Sequence, residues 1–239
     1  MKPSQRVLQV LQTELRYQFS DVSLLQRALT HRSLGSNNNE RLEFLGDAVL
    51  GFVVAEEFYK RFPKAAEGQL SRLRSTLVKG KTLASVARGI NLGDYLVLGT
   101  GELKSGGHRR ESILAGALEA IIGAVYLDGG IEPAGALVRG LLAEYIAPLS
   151  PESVEKDAKT CLQELAQSHK VPLPVYDLVT VEGEAHQQVF TVQCSVELLH
   201  YPTLGVGPSR RAAEQEAAAK ALAAIADRGA AMAADGAPV

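Results

Sequence analysis

Three carboxylates, Glu40, Glu43 and Asp47, recur at intervals of three and four residues near the start of an apolar segment. Residues 40–62 favour a helix that lies centrally in its domain, and the asparagines just ahead of it are good N-caps. At about 100° per residue, the three acids fall on one stripe of that helix. Like charges on a mostly buried helix repel one another and are costly to desolvate, so the stripe predicts a bound divalent cation. Oxygen ligands favour magnesium, with manganese as a substitute.

A second predicted helix, residues 112–127, is strongly apolar and carries one interior acid, Glu119. A lone buried glutamate needs a partner, and a metal ion held by Glu43 and Asp47 would provide one. The alternative is that the acidic stripe is a solvated helix face paired with lysines, and spacing alone does not decide between the two. The apolar neighbours of the stripe and the shortage of lysines nearby favour the metal site.

The composition of the 239 residues is that of a soluble globular protein, with 46% apolar and 22% charged residues. No run of about 18 apolar residues is present, so neither a transmembrane helix nor membrane association is predicted. The N-terminus lacks the apolar core of a signal peptide. The two cysteines, Cys161 and Cys194, fit neither a disulfide framework nor a zinc site. They therefore indicate buried, reduced thiols in the cytoplasm.

The chain is predicted to be multidomain, because its pattern changes near residue 148. Residues 1–147 show helical periodicity, whereas residues 148–156 contain two prolines and two serines and are typical of a linker. Residues 157–228 predict a small α+β domain of order α-β-β-β-α. Its predicted elements are a helix at 157–170, strands at 175–182, 190–196 and 204–206, and a helix from 209 or 210 to 226. Residues 229–239 are rich in alanine and glycine and are predicted to be a disordered tail.

Two segments resemble a known family. The run ERLEFLGD at 40–47 resembles the diagnostic motif of bacterial ribonuclease III, and GELKSGG at 101–107 with RRESILA at 109–115 resembles a second block of that family. The resemblance extends over residues 8–226. It implies an all-α nuclease domain that dimerises, followed by a double-stranded-RNA-binding domain.

The resemblance also implies roles for the acids. Glu43, Asp47 and Glu119 match the family's metal ligands. Asp47 and Glu119 match the residues most closely tied to catalysis, and Glu40 matches a further acid of the catalytic cleft.

Two more residues acquire a role at the dimer interface by the same resemblance. Phe44 would be an apolar plug that enters a socket on the partner subunit, and Glu67 would lie in the cleft near the interface. From the residues alone, the alternative for Phe44 is a core phenylalanine of an apolar helix. For Glu67 the sequence alone offers only a solvated loop carboxylate.

One position departs from the family pattern. The family places an aspartate three residues before the glutamate as a further metal ligand, and this chain has Gly116 there. Positions 116 and 119 share one helix face, so an acid at 116 would point into the site. The missing carboxylate predicts weaker cation binding, with water filling the gap. An introduced substitution, a tolerated natural variant and a lineage that retains RNA binding without efficient cutting all fit the sequence.

RNA binding by the second domain is predicted from the placement of charge, not from its total. The chain has a net charge of −2, which does not favour nucleic acid. However, Arg210 and Arg211 stand beside free amides at a predicted helix N-terminus, which suits phosphate. Gln163 suits 2′-hydroxyls in a wide minor groove, and the loop with His186 would reach a neighbouring groove. The predicted RNA-binding residues are Thr160, Gln163, Glu164, His186, Ser209, Arg210 and Arg211.

The sequence therefore predicts a homodimeric endonuclease that hydrolyses double-stranded RNA with magnesium. The resemblance implies 5′-phosphate and 3′-hydroxyl products with short 3′ overhangs, and a part in processing ribosomal precursor and messenger RNA. No DNA substrate is expected. One alternative is a double-stranded-RNA-binding protein whose nuclease site is impaired by Gly116. Another is a helical scaffold that never contacts RNA, which would leave Arg210 and Arg211 without a role.

Overall fold

The computed structural model describes residues 4–151, 157–184 and 187–235, with side chains described as far as Arg228. The chain forms two compact units, Met1–Val154 and Glu155–Val239, so the boundary falls inside the predicted linker. Three predictions lie partly outside the described residues. They are the linker at 152–156, the RNA contact His186, and the tail at 236–239.

The first unit is helical, as predicted. Its helices are α1 (Gln5–Glu14), α2 (Val22–Ala28), α3 (Glu40–Arg61), α4 (Glu67–Val78), α5 (Gly80–Gly89), α6 (Thr100–Lys104), α7 (Glu111–Gly129) and α8 (Ile131–Ile146). Short 3-10 turns lie at Arg32–Leu34, Leu92–Tyr95 and Gly107–Arg109. The bounds of α3 and α7 agree within two residues with the helices predicted from the sequence.

Helices α3 and α7 pack against each other at the centre of this unit. Gly46 of α3 lies against the main chain of Glu119, and Gly123 of α7 lies against that of Leu42. A Cβ at either glycine would overlap a carbonyl oxygen of the other helix. The two glycines therefore allow the helix backbones to approach closely, which brings their acid-bearing faces side by side.

Helix α7 is long and apolar enough to cross a membrane by length and composition, which the sequence analysis did not anticipate. However, 67% of its apolar window is buried inside the unit. It packs against α2, α3, α5 and α8, and its residues include Leu118 and Ile121, which are fully buried. Its apolar character therefore reflects its central place in the core.

The second unit has the predicted α-β-β-β-α order. Its elements are α9 (Ala158–Ser168), β1 (Val175–Glu182), β2 (Val189–Ser195), β3 (Thr203–Gly207) and α10 (Arg210–Asp235). The strands form an antiparallel sheet in the order β1-β2-β3, with Tyr176 opposite Cys194 and Cys194 opposite Thr203. The backbone of α10 continues to Asp235, whereas the sequence predicted a disordered tail from residue 229. Four alanines between 229 and 235 explain the difference, since alanine is the best helix former.

Strand β3 packs closely on α10 at Gly205 and Gly207, which have no side chains. A Cβ on Gly205 would overlap main-chain atoms of Ala213 and Ala217, and one on Gly207 would lie 2.7 Å from the Ala213 nitrogen. Both alanines are fully buried. This contact fixes the start of α10 directly after β3. Cys194 is buried as predicted, whereas Cys161 on α9 is only partly buried, so the predicted burial of Cys161 is wrong.

Candidate active site and nucleic-acid interface

An acidic cleft of about 560 Å³ opens on the α3–α7 pair. Glu40, Glu43 and Asp47 come from successive turns of α3, and Glu119 comes from the middle of α7. The structure thus brings the four predicted acids to one cleft. The lining residues are His31, Arg32, Asn39, Glu40, Glu43, Phe44, Asp47, Glu102, Arg110, Ser112, Ile113, Gly116 and Glu119.

The predicted asparagine N-cap is realised only in part at the start of α3, because Asn39 takes the N-cap position without a capping bond while Asn38 contacts Glu40 instead. The side-chain oxygen of Asn38 accepts the backbone N–H of Glu40 at 3.0 Å, whereas Asn39 makes no capping bond. Asn38 also donates through Nδ2 to the Glu40 carboxylate at 3.2 Å. Asn38 therefore holds Glu40 at the edge of the cleft through both its backbone N–H and its carboxylate.

The deeper carboxylates resist ionisation. Burial, and then the negative charges of Asp47 and Glu43, raise the pKa of Glu119 to about 7. Burial also raises the pKa of Glu43, and Glu40 and Asp47 add to the effect while Arg32 opposes it. Among the described residues, Glu43, Asp47 and Glu119 form no ion pair with a lysine or arginine. The described contacts therefore do not support the alternative that these acids form a solvated helix face paired with lysines.

The acids fit a metal ion by their chemistry, although they do not converge on one point. Within residues 4–151, 157–184 and 187–235, no three ligating side chains come together as a finished metal site. Carboxylates separate when no cation offsets their repulsion. The donor set of Glu43, Asp47 and Glu119 is oxygen only, which suits a hard divalent cation.

Gly116 faces this site from α7, one turn before Glu119. A Cβ on Gly116 would lie 2.7 Å from both Cδ and Oε2 of Glu43. The Glu43 carboxylate therefore occupies the space that the side chain of the family's aspartate would enter.

The rim of the cleft holds residues to which the sequence analysis gave no role. Arg32 pairs with Glu40 at 3.5 Å, and Arg110 pairs with Glu102 at 2.6 Å. His31 lines the same cleft, and burial lowers its pKa, while charges of both pairs also act on it. The only sequence signal was that Glu102 and Arg110 lie in the second family-like block. Both ion pairs join residues eight positions apart, across a change of local structure, and helical spacing rules do not predict such pairs.

The predicted interface residues are found in different settings. The Phe44 side chain is 81% exposed in the single chain, so the alternative of a core phenylalanine is wrong. Phe52 and Tyr59 on the same helix are exposed as well, at 56% and 73%. Glu67 begins α4, where it accepts a hydrogen bond from Ser71 at 2.7 Å, and it does not line the cleft of its own chain.

The predicted RNA-binding residues of the second unit are exposed wherever they are described. Thr160, Gln163 and Glu164 lie on the open face of α9, and the side chain of Asp157 caps that helix at the Thr160 N–H, at 2.7 Å. Ser209, Arg210 and Arg211 are exposed at the start of α10. The Ser209 hydroxyl accepts the Ala212 N–H at 3.2 Å.

Glu214 organises the basic groups of this surface, and sequence reasoning missed it. Its carboxylate accepts from Lys159 Nζ at 2.6 Å and from Arg210 Nε at 3.0 Å. The bond from Lys159 is the main reason that the pKa of Glu214 is lowered. Lys159 also lies 4.4 Å from the ring centre of Tyr176, which adds a cation–π contact. The one available signal was the i, i+4 spacing of Arg210 and Glu214.

Fold and site together define an α-helical nuclease with an acidic cleft, joined to an α-β-β-β-α module. The family model described as "Ribonuclease-III-like" matches residues 21–146, and that of the "Double-stranded RNA binding motif" matches residues 158–225. The curated protein "Ribonuclease 3" of Shewanella amazonensis is 55% identical over 93% of this chain and 98% of its own length. That of Actinobacillus pleuropneumoniae is 52% identical over 90% and 97%.

Solved structures agree with these matches. The nuclease domain of ribonuclease III from Campylobacter jejuni is 48% identical over 57% of this chain and 96% of its own, with a TM-score of 0.57. The published description of that structure concerns flexibility in a region involved in dimer formation. The chain belongs to the ribonuclease III family.

Proposed function

We propose that this chain hydrolyses double-stranded RNA as a homodimer, with magnesium held in the α3–α7 cleft. Family membership makes it an endoribonuclease, and the carboxyl-terminal motif makes double-stranded RNA its substrate. The observation that carries the metal assignment is that Glu43, Asp47 and Glu119 line one cleft and, among the described residues, form no ion pair with a lysine or arginine. Manganese, with the same preference for oxygen ligands, would substitute.

The residues divide the work of the reaction. Glu43, Asp47 and Glu119 would hold the ion, which supplies activation of water and stabilisation of the leaving 3′-oxygen. By likeness to the family motif, Asp47 and Glu119 would take the most direct part in catalysis, and Glu40, which Asn38 contacts at the rim, would contribute as a further acid. Because the 3′-oxygen is the leaving group, hydrolysis would leave a 5′-phosphate and a 3′-hydroxyl. Two clefts that cut opposite strands would leave short 3′ overhangs.

Dimerisation is supported by the exposed side of α3. Phe44, Phe52 and Tyr59 fall within about 80° of one another around the helix, at 100° per residue. Large apolar side chains this exposed indicate an interaction surface. Phe44 would enter a pocket of the partner subunit, and Glu67 would meet the cleft only through that partner.

RNA recognition is assigned to the open faces of α9 and the start of α10. Ser209, Arg210 and Arg211 would bind phosphates, while Thr160, Gln163 and Glu164 would face the minor groove. His186, which lies in the sequence between β1 and β2, would make a third contact. These groups favour A-form RNA over DNA. The cellular substrates proposed are ribosomal precursor and messenger RNAs in the cytoplasm.

Cleavage of a perfect RNA duplex tests the activity and the metal requirement together. We expect cutting with magnesium, none in EDTA, and loss of at least a hundredfold in rate for Asp47→Asn. A filter-binding assay with Arg210→Ala and Arg211→Ala tests RNA recognition, with a several-fold loss of affinity expected. Equal cleavage in EDTA and magnesium would show that the cleft does not work through a metal.

A second candidate function rests on Gly116. The cleft lacks the carboxylate that the family pattern places there, so a double-stranded-RNA-binding protein with an impaired nuclease is the alternative. It predicts that the unaltered chain binds the duplex without cutting it, and that Gly116→Asp restores cleavage. Similar cutting by both forms would dismiss it.

A further inference from the structure

The guanidinium of Arg110 is fixed at the rim of the acidic cleft. Its Nη1 donates to Glu102 Oε1 at 2.6 Å, and its Nη2 donates to Ser105 Oγ at 3.3 Å. The Arg110 side chain is 48% exposed, so it remains open to a ligand, whereas that of Glu102 is only 20% exposed. Because the mostly buried Glu102 carboxylate holds it, the partly exposed Arg110 guanidinium has a fixed position.

The loop between α6 and α7 is built around the Glu102 carboxylate. Gly107 packs against this side chain so closely that a Cβ there would lie 2.7 Å from Glu102 Cγ. Ser105 Oγ donates to the Glu102 carbonyl at 3.0 Å. The other rim cation, Arg32, is 70% exposed and meets Glu40 at a longer 3.5 Å. Arg110 is therefore the more firmly oriented of the two.

An RNA strand entering this cleft meets strong repulsion. Five carboxylates line it, those of Glu40, Glu43, Asp47, Glu102 and Glu119. A bound divalent ion would offset the deep charges, but phosphates beside the scissile one would still face acids at the rim. The rim therefore needs a cation of its own. Arg110 has five N–H donors, more than its two contacts use, and a planar fork that suits phosphate oxygens.

We propose that Arg110 binds a backbone phosphate of the strand to be cut, and that Glu102 is the residue that positions it. This inference rests on the proposed function, because it assigns part of the RNA path at the same cleft. Arg110 keeps its bond to Glu102 while its remaining donors meet the phosphate. Charge-assisted bonds of this kind are roughly twice as strong as neutral ones.

The test measures binding by the full chain carrying Glu119→Gln, which blocks cleavage, in magnesium and at several salt concentrations. In this background Arg110→Ala is compared with Arg109→Ala by filter binding of a perfect RNA duplex. Arg109 is a matched control, because it is adjacent in sequence but lines a separate pocket with Arg88 and Asp94. We expect Arg110→Ala to reduce the slope of log K against log salt by about one, and Arg109→Ala to leave it unchanged.

Two further variants separate charge from position. Arg110→Lys keeps the charge, so the salt slope should return to that of the parent. Glu102→Gln keeps Arg110 but releases it, so affinity should fall two- to fivefold with the slope retained. Thermal midpoints of all variants check that the loop still folds.

If Arg110→Ala and Arg109→Ala give the same slope of log K against log salt, Arg110 does not bind a phosphate. A lowered slope in Arg110→Lys would also overturn this assignment. If Glu102→Gln binds the duplex as tightly as the parent, Glu102 does not position Arg110. Failure of the proposed function is seen separately, as absence of magnesium-dependent cleavage by the unaltered chain. The binding assay does not depend on that activity.

Discussion

The Glu43 carboxylate lies where a side chain at Gly116 would have to go. A Cβ at position 116 would be 2.7 Å from Glu43 Cδ and Oε2 and 2.9 Å from Oε1. The crowding atoms are the far end of a flexible side chain, so rotation of Glu43 would relieve the contact. The Glu43 carboxylate thus lies against α7 at the position where the family pattern has the carboxylate of an aspartate.

Gly116→Asp should strengthen metal binding and weaken the metal-free fold. The new acid would point into the cleft beside Glu119 and Glu43, where repulsion is already strong. We expect the magnesium concentration for half-maximal duplex cleavage to fall about tenfold, which corresponds to about 1.4 kcal/mol. The thermal midpoint in EDTA should fall as well. Both are measured on purified protein, by a magnesium titration and by thermal unfolding.

Gly116→Ala is the control for this experiment. It adds the same Cβ and displaces Glu43, but it brings no carboxylate. Its magnesium requirement should match that of the unaltered chain or exceed it. If the alanine and aspartate variants need the same magnesium concentration, position 116 does not contribute a ligand.

Gly46→Ala should destabilise the first unit, because α3 and α7 could no longer approach as closely. The added methyl would overlap the carbonyl of Glu119, and main chain cannot rotate away as a side chain does. Overpacking of this kind costs about 1–3 kcal/mol, and the shift of α3 should also reduce cleavage. Urea unfolding measures the loss.

Gly140→Ala is a matched control on α8, where a Cβ meets nothing within 4 Å. Because alanine favours the helix, this variant should be more stable by about 0.5–1 kcal/mol. If Gly46→Ala were as stable as Gly140→Ala, close contact between α3 and α7 would not matter for the fold.

Much of the architecture was predictable because it depends on local pattern. The bounds of α3 and α7 follow from long apolar segments, and alternation predicted β2 to within one residue of its observed bounds. The stripe of Glu40, Glu43 and Asp47 also follows from helical spacing. Local periodicity therefore placed the acids on the correct helix face.

Other features depend on contacts between distant segments. The sequence did not show that Gly46 faces the carbonyl of Glu119, because this requires knowing how two helices cross. The same holds for the pairing of Lys159 with Glu214, which joins α9 to α10. The extension of α10 beyond Arg228 was missed for another reason, since glycines among the alanines were given too much weight.

Phe44→Glu should shift the protein from dimer to monomer. The 81% exposed side chain would gain a charge that cannot be buried in an apolar pocket without a large desolvation cost. Sedimentation velocity over a range of concentrations measures the change, and cleavage should fall with the dimer fraction. Val10→Glu is a suitable comparison, because Val10 is a 50% exposed residue on α1. A dimer retained by Phe44→Glu would remove this residue from the interface.

The acidic cleft should make the metal-free protein less stable as pH rises. Glu119 has a pKa of about 7 in the folded chain, raised first by burial and then by Asp47 and Glu43, against an ordinary value of 4.5. Between these values the folded state binds more protons than the unfolded state, so the free energy of unfolding falls as pH increases. The contribution of Glu119 to the free energy of unfolding is therefore fully present below about pH 4.5 and is lost as pH rises through about 7.

Urea unfolding in EDTA at pH 5 and pH 8 tests this, with Glu119→Gln as the reference. Because Glu119 is only partly buried, we expect the loss to be on the order of 1 kcal/mol after allowance for solvent screening. Glu119→Gln should remove that part of the pH dependence. Magnesium competes with the proton for the same carboxylate, so it should stabilise the unaltered chain more at pH 8 than at pH 5. An identical pH dependence in both proteins would mean that Glu119 is already ionised at pH 5, and that burial in this cleft is weaker than its geometry indicates.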